Sequence, residues 1–254
     1  MRASLHGRHV AVSSGVAPTW GRLPVVYETL GAADFDGTSD EILFGQPSDL
    51  EFNLNGNPFS ISFWIEIKTS GDGGIWTRIS GAGPGIGALH NTSDLLFYSR
   101  STTGGYRLKV VGTATAPLPW QHVVWTCDGS DALSAFGCYL DSAPQVLAEF
   151  LPSSSYGAGS TVVSEDVRIG NRGVPGLILD NPVSNVRIFD RVISRAEARR
   201  LFMDPLVPVG DELAWWSLRG SGAVAAGDVR DSSGNGHDAV TVNGNPQFIG
   251  GPLA

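Results

Sequence analysis

Asn57-Pro58-Phe59-Ser60-Ile61-Ser62-Phe63-Trp64-Ile65-Glu66-Ile67 is the stretch whose reading decides the fold. Phe59, Ile61, Phe63, Ile65 and Ile67 alternate with Ser60, Ser62, Trp64 and Glu66, a period of two that predicts a half-buried β-strand. Asn57-Pro58 is turn chemistry, and Thr69-Ser70-Gly71-Asp72-Gly73-Gly74 ends the run. The scheme recurs at Leu95 to Ser99, Tyr106 to Val111, Trp120 to Cys127 and Phe136 to Asp141. It recurs again at Val167 to Gly170, Val186 to Asp190, Glu212 to Leu218 and Ala239 to Val242. The expected architecture is all-β, two antiparallel sheets packed as one large sandwich.

Composition agrees. Of the 254 residues only 17% are charged, while 33 are Gly and 15 are Pro, which favours strands joined by turns. A formal charge of −8 argues against a nucleic-acid binder, which needs a basic face. No apolar run approaches the length of a membrane span, so a soluble protein is expected.

Ser194 stands three residues before Glu197, a capping box, and Ala198, Leu201 and Phe202 form a short apolar face before Pro205. This predicts one short helix over 194–202, a lid on the sandwich. Ala33 to Ile42 reads as strand, tight turn, strand, with Asp36-Gly37 at the turn. Gly83-Pro84-Gly85-Ile86-Gly87-Ala88 has the bare spacing of a dinucleotide fingerprint. Pro84 and the lack of a following helix exclude it, and Ile79 to Leu89 is expected to be a flexible loop.

Residues 1–33 differ from the rest, with three arginines (Arg2, Arg8, Arg22), two histidines and one acid, Glu28. They form a frayed tail, an extra edge strand with short pieces at Val10 to Val12 and Val25 to Tyr27, or a docking arm drawn to an acidic partner surface. The sandwich is expected over 34–254, with 208–254 as closing strands. The first residues carry no signal-peptide pattern, and Cys127 and Cys138 make no disulfide framework. Both suggest cytoplasmic folding, with free buried thiols on paired strands.

Four segments in order resemble the LamG-like (laminin G type) jelly-roll domains of the concanavalin A-like superfamily. They are Phe35-Asp36-Gly37 through Asp40, Phe59-Ser60-Ile61-Ser62-Phe63-Trp64, Trp120-Gln121-His122-Val123 through Asp128-Gly129, and Val186-Arg187-Ile188-Phe189-Asp190-Arg191 through Leu201. Trp216 with Asp231-Ser232-Ser233-Gly234-Asn235-Gly236 is similar to a fifth. One departure is Ser184-Asn185, where the family commonly carries Asp-Glu.

The resemblance implies a two-sheet antiparallel jelly roll and a binding module. Catalysis is not expected, because no Glu begins the Glu-x-Asp-x-x-Glu strand of the fold's glucanases and no Gly-x-Ser-x-Gly elbow is present. The resemblance also implies calcium, with Asp231, Asn235 and Asp238 as oxygen ligands and Asp40 nearby. The alternative for that loop is a set of Asx turns. Trp76, Tyr98, Tyr106 and Tyr156 are the expected exposed rings for sugar stacking, whereas Trp125 points inward.

Domains of this kind without an export signal resemble those on phage virion proteins. The expected function is therefore a non-catalytic virion surface protein: a decoration, fibre or tail component. Its arm would dock on capsid or tail proteins and its sandwich would bind glycan or protein, as a homo-oligomer. The alternative is an exported carbohydrate-binding protein or accessory module.

Overall fold

The computed structural model describes residues 29–52, 57–79, 85–91, 94–100, 105–110, 117–130, 132–149, 164–173 and 176–253. Its strands begin with β1 (Thr29–Asp34), β2 (Glu41–Leu43), β3 (Phe59–Ile67), β4 (Gly73–Ile79), β5 (Gly85–Asn91) and β6 (Asp94–Arg100). Next come β7 (Gly105–Val110), β8 (Leu118–Cys127), β9 (Phe136–Leu140), β10 (Ala143–Pro144), β11 (Leu147–Glu149) and β12 (Arg168–Ile169). After β13 (Val183–Phe189) comes the helix α1 (Arg195–Met203). The strands β14 (Glu212–Trp216), β15 (Gly222–Ala223), β16 (Thr241–Asn243) and β17 (Gln247–Leu253) follow.

They form two antiparallel sheets. The first runs β10-β9-β8-β3-β13-β1-β17-β15, with β14 paired to β13, and the second runs β11-β7-β6-β5-β4-β12-β2-β16. Phe59, Ile61, Phe63, Ile65 and Ile67 all enter the core between the sheets, meeting Trp76, Phe97, Trp125 and Trp216. The two-residue period thus set the register of the central strand.

The other face of β3 is not exposed, and here the half-buried expectation is corrected. Ser60 Oγ donates to the Arg191 carbonyl (2.7 Å) and accepts from Ile193 N (3.0 Å). The Trp64 ring stacks on Phe202 at 5.5 Å. The helix and its flanks cover the face, and Phe189, Ile193, Ala198 and Leu201 form a second apolar cluster there with Val124. The capping box is present: Glu197 N donates to Ser194 Oγ, and Ser194 N donates to Glu197 Oε2.

The strand, turn and strand expected over Ala33 to Ile42 are present as β1 and β2, with Gly37 at a positive φ of 69° and the Asp36 carboxylate accepting from the backbone N–H of Thr38, Ser39 and Asp40; the two strands lie in opposite sheets. Two other expectations change. Residues 29–33 belong to β1, which lies between β13 and β17, so they are part of the sandwich. The expected strand pieces earlier in the arm lie outside the described residues. The stretch read as a glycine-rich loop contains β5. A side chain at Gly85 would meet the Arg78 carbonyl at 2.2 Å, so glycine is what lets this strand lie so close to β4.

Cys127 and Cys138 are both buried and free. The register sets Trp125 opposite Cys138 and Phe136 opposite Cys127, so the thiols are not direct cross-strand partners. Among the described residues no helix is long and apolar enough to cross a membrane.

Candidate functional site

Strands β5 and β6 send Ile86, Ala88, Leu95 and Phe97 into the core. By the same alternation Leu89, Leu96 and Tyr98 face the other way and cluster with Ile79 on the outer side of the second sheet. The segment after β12 folds over that side. Asn171 bridges to Ile178, Thr77 Oγ1 donates to the Asn171 carbonyl (2.6 Å), and Gly173 N donates to Asn171 Oδ1 (2.9 Å). A side chain at Gly74 would stand 2.3 Å from the Asn171 carbonyl, so this close approach requires glycine.

The approach places Arg172 and Leu177 against the sheet and leaves a small cleft open to solvent. Leu89, Leu96 and Leu177 give it apolar walls, and Tyr98, Asp72 and Arg172 add polar groups. The Arg172 guanidinium carbon sits 5.0 Å above the Tyr98 ring centroid. His90 is 1% exposed, and its Nδ1 is buried with no hydrogen-bond partner. Burial pulls the imidazole below its ordinary value, against a hydrogen bond to the Gly71 backbone and the nearby carboxylates of Asp72 and Asp94. The ring is therefore neutral at neutral pH, and the bond to Gly71 leaves Nδ1 as an acceptor. His90 shares the face of its cross-strand partner Leu95, the core side, so what the cleft offers is a guanidinium over an aromatic ring beside apolar walls, chemistry suited to a polyhydroxylated ligand.

The expected aromatic residues are placed differently. Trp76 is fully buried, packed on Phe52 at 6.3 Å, because a bulge between Gly74 and Trp76 turns it into the core; it is not an exposed stacking ring. Tyr98 is 1% exposed and stands on a strand, with Arg172 over its ring, so it is not a free loop aromatic either. Tyr106 lies on β7 opposite Ser99. Its side chain lies outside the described residues, as do Tyr156, Arg2, Arg8 and Arg22. Trp125 is in the core as expected.

The expected calcium ligands fall into two separate hydrogen-bond networks. Asp231 accepts from Trp215 N and Ser233 N on one oxygen, and from Ser233 Oγ and His237 N on the other. Asp238 accepts from Asp231 N (2.8 Å) and from Arg230 Nη1 (2.8 Å). Asn235 donates to the carbonyls of Glu212 and Leu213. Asp40 ties a different corner, accepting from Asp36 N and Asn245 N. These carboxylates already face N–H donors, and among the described residues no cluster of three or more His, Cys, Asp or Glu could hold a metal. The residues do not fit a calcium site. They fit the Asx-turn alternative, pinning the last loops to β14.

The sequence profile of a family described as the concanavalin A-like lectin/glucanases superfamily (laminin G type) matches residues 36–199. The chain belongs to the concanavalin A-like lectin/glucanases superfamily. One solved structure agrees at the level of fold. A candidate carbohydrate-binding protein from Bacteroides ovatus aligns with a TM-score of 0.55 at 16% identity, over 89% of this chain and 62% of that one. The present chain thus spans less than two thirds of that relative's length. Domain 4 of the arabinanase AbnA from Geobacillus stearothermophilus, solved with arabinotriose, aligns at a TM-score of 0.46 and 17% identity, over 68% of this chain and 76% of that one. No curated protein matches the chain.

Within this lectin-like fold, sequence reasoning missed the cleft. Leu89 and His90 were hidden in the glycine-rich stretch, and Arg172 occupied an Asn-Arg-Gly turn. One signal was available: Gly85, Gly87 and Leu89 alternate with Ile86, Ala88 and His90. Small residues on one face of a strand mark close backbone approach as readily as they mark a loop.

Proposed function

We propose that this chain is a non-catalytic glycan-binding module of a virion surface protein, with the β5–β6 cleft as its binding site. The observation that carries the reading is Arg172, a guanidinium held over the Tyr98 ring on a solvent-open cleft with apolar walls. Sugars present the complementary surface, a hydroxyl rim around an apolar ring face. Asp72 is the one carboxylate among the described residues that line the cleft, whereas glycoside hydrolysis by the common route uses a facing pair. This supports binding without turnover.

The virion setting rests on the charge contrast between the basic arm and the acidic remainder, and on the resemblance to virion domains of this type. Arg2, Arg8 and Arg22 would dock the arm on capsid or tail protein in a homo-oligomer. An exported carbohydrate-binding module uses the same cleft, and neighbouring genes for capsid or tail proteins distinguish the two settings. The binding reading is tested by affinity electrophoresis of the full chain through gels containing soluble polysaccharides. Retardation by at least one polysaccharide, lost in Leu177→Trp with its melting temperature kept, is the expected result. A chain that no polysaccharide retards does not bind glycan at this cleft.

A further inference from the structure

Among the described arginines that are buried or half-buried, Arg172 is the one without a carboxylate partner. Among the described residues, every other buried or half-buried arginine has a carboxylate. Arg78 pairs with Glu51 at 2.8 Å, Arg168 with Glu41 at 3.6 Å, Arg187 with Glu212 at 3.0 Å and Arg191 with Glu197 at 2.7 Å. Arg172 is half-buried and has the Tyr98 ring beneath it, and its Nε is buried with no acceptor. Asp72 lines the same cleft and has interactions of its own. A guanidinium held on an aromatic ring has lost part of its rotamer freedom, so a planar anion arriving there meets a preorganised fork.

We propose that the missing anion is supplied by the ligand: the cleft takes a sugar bearing a carboxylate, a uronate or a sialate. This rests on the glycan-binding reading and narrows it. The carboxylate pairs with Arg172, and the apolar face of the sugar lies against Leu177 and the parts of Leu89 and Leu96 that line the cleft. A neutral sugar meets the leucines and leaves Arg172 without a charged partner. Selectivity therefore resides in Arg172, since charge-assisted bonds are roughly twice as strong as neutral ones.

The test is a printed array of neutral oligosaccharides and their uronate-bearing, sialylated and sulfated counterparts, probed with the labelled full chain. The expected result is about tenfold or stronger binding to carboxylated members than to matched neutral ones, decreasing with added salt. Uronates ahead of sialates would assign the ligand to a polysaccharide, and the reverse order to a cell-surface glycoprotein. Arg172→Gln should erase the ratio while keeping the weaker neutral binding and the melting temperature, and Arg172→Lys should restore part of it. Equal binding to neutral and carboxylated members, an unchanged ratio in Arg172→Gln, or preference for sulfated members overturns the proposal and leaves glycan binding standing. A blank array overturns both.

Discussion

Arg187 and Glu212 meet at 3.0 Å beneath α1, where their side chains are 0% and 6% exposed. The Arg187 guanidinium carbon lies 3.8 Å from the centroid of the Trp215 ring, and Arg187 also donates to the carbonyls of Pro205 and Val207. Burial pushes the guanidinium down to about 10, with Glu212 working against the shift. Glu212 accepts in addition from Val209 N and Gly210 N. This pair clasps the 204–211 connection to the first sheet, so it positions the helix lid and takes no part in the cleft.

Removing one partner strands the other charge. Glu212→Gln is expected to cost about 3–5 kcal/mol by thermal or urea unfolding. The double variant Arg187→Met with Glu212→Leu should cost clearly less than the two single variants summed. Additive losses would show that the pair is not coupled.

His122 neighbours this clasp. Its Nε2 lies 2.9 Å from Ser62 Oγ, its Nδ1 is buried without a partner, and burial plus the Arg187 charge depress it to about 3. The folded state therefore binds fewer protons than the unfolded one between about pH 6.5 and 3. Stability should fall on acidification through that window, by up to about 1.4 kcal/mol per pH unit from this group. His122→Gln should flatten the profile by that amount relative to wild type. An identical slope in the variant would mean that other groups carry the acid response.

How much of this was legible in the sequence depended on whether a residue acts through its own period or through a distant segment. The β3 alternation, the β8–β9 hairpin and the Ser194–Glu197 box are local, and their residues announced them. Trp76 was misread because a bulge shifts parity, and a bulge leaves no mark on a two-residue pattern. The cleft was invisible for a related reason. Leu89 and Arg172 are far apart in sequence, and the loop after β12, seated on Gly74, brings them to one cleft. The Asp231 loop was located correctly, but its sequence left calcium and Asx turns both open, since a carboxylate cluster looks the same whether it faces calcium or backbone N–H groups.

That loop gives a further prediction. Burial raises the Asp231 carboxyl, and its hydrogen bonds with Ser233, Trp215 and His237 more than offset this, leaving it lowered overall. Asp231→Ala should cost about 2–4 kcal/mol, as several charge-assisted bonds are lost together. The wild-type melting temperature should not differ between chelator and calcium at about 10⁻³ M, where weak sites fill. A rise of several degrees with calcium would show that the carboxylates leave their N–H partners to take an ion.

The arm can be tested at two cut points that the sequence alone would have merged. β1 occupies Thr29–Asp34 and pairs with β17 over Gly31↔Gly250 to Asp34↔Gln247, and with β13 at Ala33↔Val183. Leu30, Ala32 and Ala33 are fully buried. Deleting residues 1–33 should therefore remove an interior strand, free the β13 and β17 edges and give an aggregating product. Deleting only residues 1–28 keeps β1 and should leave a soluble chain that melts cooperatively. The shorter deletion also removes Arg2, Arg8 and Arg22, so it isolates their proposed docking role. Under the virion reading it should abolish incorporation into particles while glycan retardation persists. Incorporation at the wild-type level would remove the docking role from the arm. Loss of glycan binding together with incorporation would instead make the arm part of the binding surface.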